Sequence, residues 1–277
     1  MSQLLPPFRS VILAGERPGG SPISQAFGVT ASVMVPVAGK PSLARVLDTL
    51  SESEQVNGGV ICGPTAEAVN KSEALKKLIQ YPGFQWLEQS IGPAASAMAA
   101  LDKLDFYPAL LTAGDHALLT AEIVDDFCLK ALAVGAGNGD TADGKTPSCD
   151  LLIGFVPYAL VKAAWPESRR TVTKFSDGQF CGSNLFAILT PEGKKALSFW
   201  RQAEADRKQP WKIARRFGYA TLFRYLFRRL TLEDALQALS KAAGCRIGHV
   251  RVEYARAAVD VDSVDDQKLA ERILGSS

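Results

Sequence analysis

An α/β fold with a mostly parallel sheet, covered by helices on both faces, is predicted by three observations. Short apolar runs alternate with helical stretches for most of the length. The runs read as buried strands, and 277 residues with 47% hydrophobic content can bury the core that such layers need. In order, Ser10–Ala14 (SVILA) is a buried strand, Pro41–Leu50 a helix and Gly59–Cys62 a second strand. Glu67–Ile79 is helical, Phe84–Leu87 a third strand, Ala94–Leu104 a helix and Ala109–Ala113 (ALLTA) a fourth strand. Gly135–Ser148 is a small-residue loop, followed by strands at Asp150–Pro157 and Ser183–Leu189 and a helix at Pro191–Arg207. Ala258–Asp262 reads as a last strand that feeds a helix over Val264–Leu274. Ligands of such sheets lie at the carboxyl ends of the strands, here the loops after Ala14, Leu87 and Ala113.

Composition excludes several classes. With 31 Lys+Arg against 29 Asp+Glu and 22% charged residues, the chain is neither disordered nor fibrous. A net charge of +2 argues against a dedicated nucleic-acid binder. Five scattered cysteines without a Cys-x-x-Cys pair, and two histidines, argue against a zinc site or a disulfide framework and fit a reducing cytosol. No secretory signal is visible, and the longest uncharged run, Pro18–Gly39, is broken by prolines and glycines, so a soluble cytoplasmic protein is expected.

Two loops have phosphate-binding composition. Gly139–Thr146 (GDTADGKT) spells a P-loop, but no buried strand enters it, Pro147 follows at once, and Asp140 and Asp143 would repel phosphate, so a surface loop is expected. The stretch from Leu13 to Gly20 is a better candidate. It leaves a buried strand, its three glycines let backbone N–H groups approach a triphosphate, and Arg17 supplies a planar cationic fork. A plain glycine turn with an exposed arginine is the competing reading.

Asp115 ends a central strand, where a hard oxygen ligand suits Mg²⁺; an N-cap role falls better to Thr120, directly before Ala121. Asp260 and Asp262 share one face of the expected last strand, a costly pairing unless a cation or donor meets them. A solvated edge strand is the alternative. Ser263 reads as the next helix's cap, with Asp265 and Asp266 as ordinary first-turn acids.

LAGERPGG, GVTASVMVPVAGKP, GPAASAMAAL, LLTAGDHALLT and AVDVDSVDDQKL occur in an order that resembles the MobA-like NTP transferases. The resemblance covers about 9–135 and resumes near 170–190 and 255–275. It implies a Rossmann-like, glycosyltransferase-A-type three-layer fold, one nucleotidyltransferase domain over 1–277 with a helical basic insert at 191–245. By resemblance, Leu13, Ala14, Gly15, Arg17 and Gly20 hold the triphosphate, and Pro93, Ala94 and Ser96 read base and ribose. Asp115 and Asp262 hold Mg²⁺ with Asp260 in reserve, while Gly182, Asn184 and Lys174 meet a phosphorylated sugar, alcohol or lipid-linked acceptor. The implied activity is transfer of NMP from an NTP to that acceptor with release of pyrophosphate. Ser32 stands where the family places a lysine, so either Arg17, Lys40 or Lys174 supplies the missing charge, or the chain turns over slowly or not at all. A nucleotide- or nucleotide-sugar-binding module without catalysis, and a glycosyltransferase sharing the fold, are the alternatives.

Charge is not evenly spread. Residues 201–230 hold nine Lys/Arg against two acids, net +7, which leaves 22 basic and 27 acidic residues elsewhere, net −5. Ile213, Phe217, Ala220, Phe223, Phe227 and Leu230 are spaced as one helical face. Such faces are mostly core, so the stripe is expected to fold onto the main body with its arginines solvated or lining the acceptor cleft. The other reading takes 211–230 as a peripheral contact for an anionic membrane or a lipid phosphate.

Overall fold

The computed structural model describes residues 7–17, 19–136, 148–206 and 219–275. The Gly139–Thr146 pattern, Trp211, Ile213 and Phe217 lie outside the described residues. The sheet runs β10-β7-β9-β6-β1-β4-β5, with β8 pairing β9. Its members are β1 (Phe8–Leu13), β4 (Val56–Cys62), β5 (Phe84–Leu87), β6 (Ala109–Ala113), β7 (Leu151–Pro157), β8 (Thr173–Phe175), β9 (Gly178–Ile188) and β10 (Ile247–Arg251). A small hairpin joins β2 (Pro36–Val37) to β3 (Lys40–Pro41). β4, β1 and β6 are parallel neighbours, as are β4 with β5 and β7 with β10. β9 runs antiparallel between β6 and β7. Its first half, Gly178–Asn184, therefore lies at the carboxyl ends of those strands.

Burial on both faces explains the continuous apolar runs. In β1, Ile12 joins one core cluster and Val11 the other, both fully buried. The first cluster packs under α2 (Ser42–Glu52) and α6 (Ala121–Ala136), where Leu43, Val46, Leu47 and Leu50 recur at helical spacing. The second packs under α5 (Pro93–Leu104), α8 (Lys194–Ala205) and α10 (Leu232–Ala243) through Ala97, Leu101, Leu197 and Leu236. Helix, sheet, helix make the three layers the sequence predicts. The first turn of α6 is closed by Thr120, whose Oγ1 accepts from Ile123 N–H at 3.4 Å.

Several elements differ from expectation. Glu67–Ile79 is two helices, α3 (Ala66–Asn70) and α4 (Glu73–Leu78), because the Ser72 hydroxyl accepts from Leu75 N–H and starts a new one. The expected strand Ser183–Leu189 is the second half of β9, whose polar first half hides it. Ala258–Asp262 is not a strand: Ala255–Ala258 form a 3₁₀ turn, and Val261 N–H donates to Asp115 C=O at 3.1 Å rather than to a ladder. It leads into α11 (Val264–Gly275). α7 (Tyr158–Ala164), β10 and α10 are additions, and α10 carries a readable start, a Thr231–Asp234 capping box.

The apolar stripe of the basic insert does not pack on the core where the structure describes it. α9 (Tyr219–Leu226) leaves Phe223 61% exposed, and Phe227 beyond it 59%; only Leu230 is buried. The two phenylalanine rings lie 4.2 Å apart, against each other. Leu222, Tyr225 and Leu226 are exposed too, so the apolar side chains described in this segment face solvent instead of the core. An Arg224–Asp234 ion pair and the bond from Ser176 N–H to Leu230 C=O tie it to the body.

Candidate functional site

The loop after β1 is stitched to its neighbours by backbone. Gly114 N–H donates to Leu13 C=O and Ala14 N–H to Cys62 C=O, both at 2.8 Å. Gly63, at φ +97°, lets the chain after β4 press onto Gly15, since a Cβ there would stand 2.7 Å from the Gly15 nitrogen. Gln89, beyond β5, clamps Glu16: Glu16 N–H donates to Gln89 Oε1 and Gln89 Nε2 to Glu16 C=O, each at 2.7 Å. Gly20 N–H closes the loop on Arg17 C=O at 2.9 Å, and Gly20 holds φ +82°. The loop opens on a cleft of about 570 Å³, with Arg17, Gly19 and Gly20 on one wall and Thr65, Glu67 and Lys71 on the other.

This cleft holds one cation that the sequence did not single out, Lys71, ion-paired to Glu67 on the same exposed helix. Ser32 lies in a 3₁₀ turn, where its N–H donates to the Glu16 carboxylate. Of the cations expected to compensate for it, Arg17 lines the cleft. Lys40 pairs with Asp48, and Lys174 is exposed, with its ammonium free of an ion pair among the described residues. α5 begins with Pro93, behind Gly92 at φ +86°. Pro93 is exposed, whereas Ala94 and Ser96 point inward: the Ser96 hydroxyl accepts from Ser90 N–H at 2.9 Å and shapes the loop after β5.

Asp115 follows β6 directly. The Val261 N–H bond to its carbonyl brings the C-terminal acids alongside. Its Oδ1 is inaccessible and has no hydrogen-bond partner. Burial first, then the charges of Asp262 and Asp260, push its carboxyl up to about 8. Asp262 is exposed by area, yet the protein around its carboxyl and the charge of Asp260 push it up, against Arg17 and Arg170. Burial pushes the imidazole of His116 down to about 4, so this neighbour is neutral.

Asp260 has a different role from Asp262. Arg170, whose side chain is 8% exposed, donates from Nη1 to Asp260 Oδ1 at 2.9 Å and pairs through Nη2 with Asp266. Asn184, at φ +52° in β9, donates from Nδ2 to Asp260 Oδ2 at 3.2 Å. Asp266 thus does more than cap a helix with Ser263, although Ser263 does accept from Asp266 N–H. No residue pattern announced Arg170; Gln89 was within reach, because the loop after Leu87 is a strand carboxyl end. Gly182 stands exposed in β9 with open space where a side chain would be.

The donor set suits a hard divalent cation. An orphaned carboxylate oxygen on Asp115, with Asp262 beside it, offers oxygen ligands that a cation would relieve of mutual repulsion. Among the described residues no three or more His, Cys, Asp or Glu form a ready-made metal cluster. Substrate oxygens would have to complete the shell, as is usual for Mg²⁺.

Residues 10–145 match the model of the MobA-like NTP transferase domain. Over 110 residues the chain is 39% identical to the bifunctional protein GlmU of Cupriavidus pinatubonensis, covering 38% of this chain and 22% of that protein. The chain thus spans about a fifth of the length of that curated relative. A hypothetical transferase from Thermus thermophilus shares 25% identity and a TM-score of 0.72, over 94% of this chain and 99% of the other. CMP:2-keto-3-deoxy-manno-octonic acid synthetase, solved with CTP, shares the fold at TM-score 0.56 and 11% identity, over 98% and 99% of the two chains. The residues that build the glycine loop, the cleft and the Asp115 strand, 10–145, are a MobA-like NTP transferase domain.

Proposed function

We propose that the chain is a Mg²⁺-dependent nucleotidyltransferase that moves NMP from an NTP to a phosphorylated sugar, alcohol or lipid-linked acceptor. The observation that carries this reading is Asp115, with a buried, partnerless carboxylate oxygen beside Asp262 and Arg17 at the strand ends. An acceptor phosphate oxygen forms a bond to the NTP α-phosphorus as the bond to the pyrophosphate oxygen breaks. The backbone of Leu13, Ala14, Gly15 and Gly20 holds the triphosphate, and Arg17 offsets charge on the leaving group from the loop. Lys71, across the cleft, supplies the charge that Ser32 lacks. Pro93 and the loop held by Ser96, next to Ala94, face base and ribose, while Gly182, Asn184 and Lys174 face the acceptor. Asp115 and Asp262 would hold Mg²⁺, with Asp260 behind them, and the cation would neutralise phosphate oxygens during displacement.

The reading is tested by pyrophosphate release from the four NTPs with Mg²⁺ and a panel of phosphorylated acceptors. Release is expected with one base preferred, and Lys71→Ala is expected to raise KM for the NTP about tenfold. NTP binding without release across the panel would instead favour a binding module. Hydrolysis of UDP- or GDP-sugars without pyrophosphate would favour a glycosyltransferase.

Location follows the same reading. The five free cysteines fit a reducing compartment, so we assign the protein to the cytoplasm. Among the described residues no helix is long and apolar enough to cross a membrane. Exposed Phe223, Leu226 and Phe227 beside Arg224, Arg228 and Arg229 favour peripheral contact with an anionic lipid surface, which would bring a lipid-linked acceptor close. The chain is expected to co-sediment with phosphatidylserine vesicles in low salt, and Arg228→Glu/Arg229→Glu to lose at least half of that binding. Equal recovery with neutral vesicles would remove this part of the proposal.

A further inference from the structure

The glycine loop already holds an anion, and it belongs to the chain. The Glu16 carboxylate accepts from Arg17 N–H at 2.9 Å through Oε1, and through Oε2 from Ser32 N–H at 2.6 Å and the Ser21 hydroxyl at 3.4 Å. Two of the three donors are backbone amides, one from the glycine loop and one from the 3₁₀ turn at Ser32, converging on one side chain. Such converging amides make an anion-binding concavity. No ion pair to Glu16 is recorded among the described residues. Polar groups of the loop and of the 3₁₀ turn beside it hold the carboxylate, and Glu16 and Arg17 themselves line the cleft.

We propose that Glu16 is an internal stand-in for a nucleotide phosphate: its carboxylate fills the oxyanion positions of the glycine loop, and an incoming triphosphate must displace it. This rests on the reading of that loop as the triphosphate site. The backbone of Glu16 need not move for the exchange, because Gln89 clamps both its N–H and its C=O. Rotation about the side-chain bonds alone carries the carboxylate out into the cleft that Arg17 and Lys71 line. The carboxylate keeps the Arg17 and Ser32 amides paired while the cleft is empty and sets a threshold that a weaker single anion does not pass. A ligand with several phosphates, contacting Arg17 and Lys71 as well, does pass it. Selection for polyphosphate over inorganic phosphate is the consequence.

The test measures binding of each NTP with Mg²⁺, of inorganic tripolyphosphate and of inorganic phosphate by calorimetry. It uses the full chain, Glu16→Ala and Glu16→Gln. Both variants are expected to bind the preferred NTP and tripolyphosphate about tenfold more tightly, and to gain measurable affinity for inorganic phosphate. Glu16→Gln keeps a hydrogen-bond acceptor and guards against a collapsed loop. Normal NTP binding by the wild type, with unchanged or weaker binding by both variants, would overturn the role of Glu16 and leave the nucleotide site standing. Folded wild type and variants that bind no NTP and no tripolyphosphate would overturn both.

Discussion

Asp115→Asn is expected to lower Mg²⁺-dependent pyrophosphate release by about 10³-fold, roughly 4 kcal/mol of transition-state stabilisation, while leaving the fold intact. Asparagine keeps the shape of aspartate and loses only the charge and one acceptor oxygen, so a loss of this size reads as loss of a cation-binding charge. Stability should move the other way. The Asp115 carboxyl sits near 8 in the folded chain against an ordinary 3.8, so the folded state holds a proton that the unfolded state gives up. Native stability therefore falls as pH rises from about 4 to about 8 and stays low above it. The amide removes that penalty. The variant is expected to melt with the wild type near pH 4 and above it at pH 8, by on the order of several kcal/mol at most. Mg²⁺ should raise the wild-type melting temperature at pH 8 and leave that of the variant unchanged. Undiminished turnover in Asp115→Asn would remove this residue from the chemistry; a lower melting point at pH 8 would remove the account of its burial.

Periodicity exposed the central half of this fold because β1, β4 and β6 are buried on both faces. SVILA, GVIC and ALLTA could be little else. It failed where strands are polar or turned. β9 passes Gly182, Ser183 and Asn184 before its apolar half, and the backbone of Asn184 is left-handed. The Val259–Asp262 stretch has the alternation of a strand, and Val259 and Val261 are indeed buried, yet its amide pairs with the loop after β6. Asp115, Asp260 and Asp262 were legible as acids that need a partner. That Asp260 meets Arg170 and Asn184 was not, because those contacts join residues 90 and 76 positions apart. Nothing in the sequence marks Glu16, for the same reason: its significance lies in where its carboxylate turns. The aromatic stripe was read as core on spacing alone, but spacing says that a face can be buried, not that a surface exists to bury it.

Arg170→Met is expected to cost about 3 kcal/mol, a fall in melting temperature of roughly 6–12 °C, although the residue lines neither the cleft nor the sheet core. Its guanidinium is 8% exposed and forks between Asp260 and Asp266, themselves 29% and 14% exposed. Methionine fills much of the volume and leaves two partly buried carboxylates facing each other, close to Asp262, whose pKa Arg170 also lowers. The cost is therefore mainly that of stranded charge. Arg170→Met/Asp260→Asn should recover about half of the loss, because it removes one of the two stranded acids; a purely steric role for Arg170 would give simple additivity. Arg170→Lys should fall between, since an ammonium keeps the charge but cannot fork to both carboxylates at once. The segment that this clamp holds also carries Asp262, so in the same series activity should fall further than stability explains, and Mg²⁺ dependence should shift to higher concentration. Loss of stability without any change in Mg²⁺ dependence would confine Arg170 to holding the chain, and Asp262 would then have no claim on the cation.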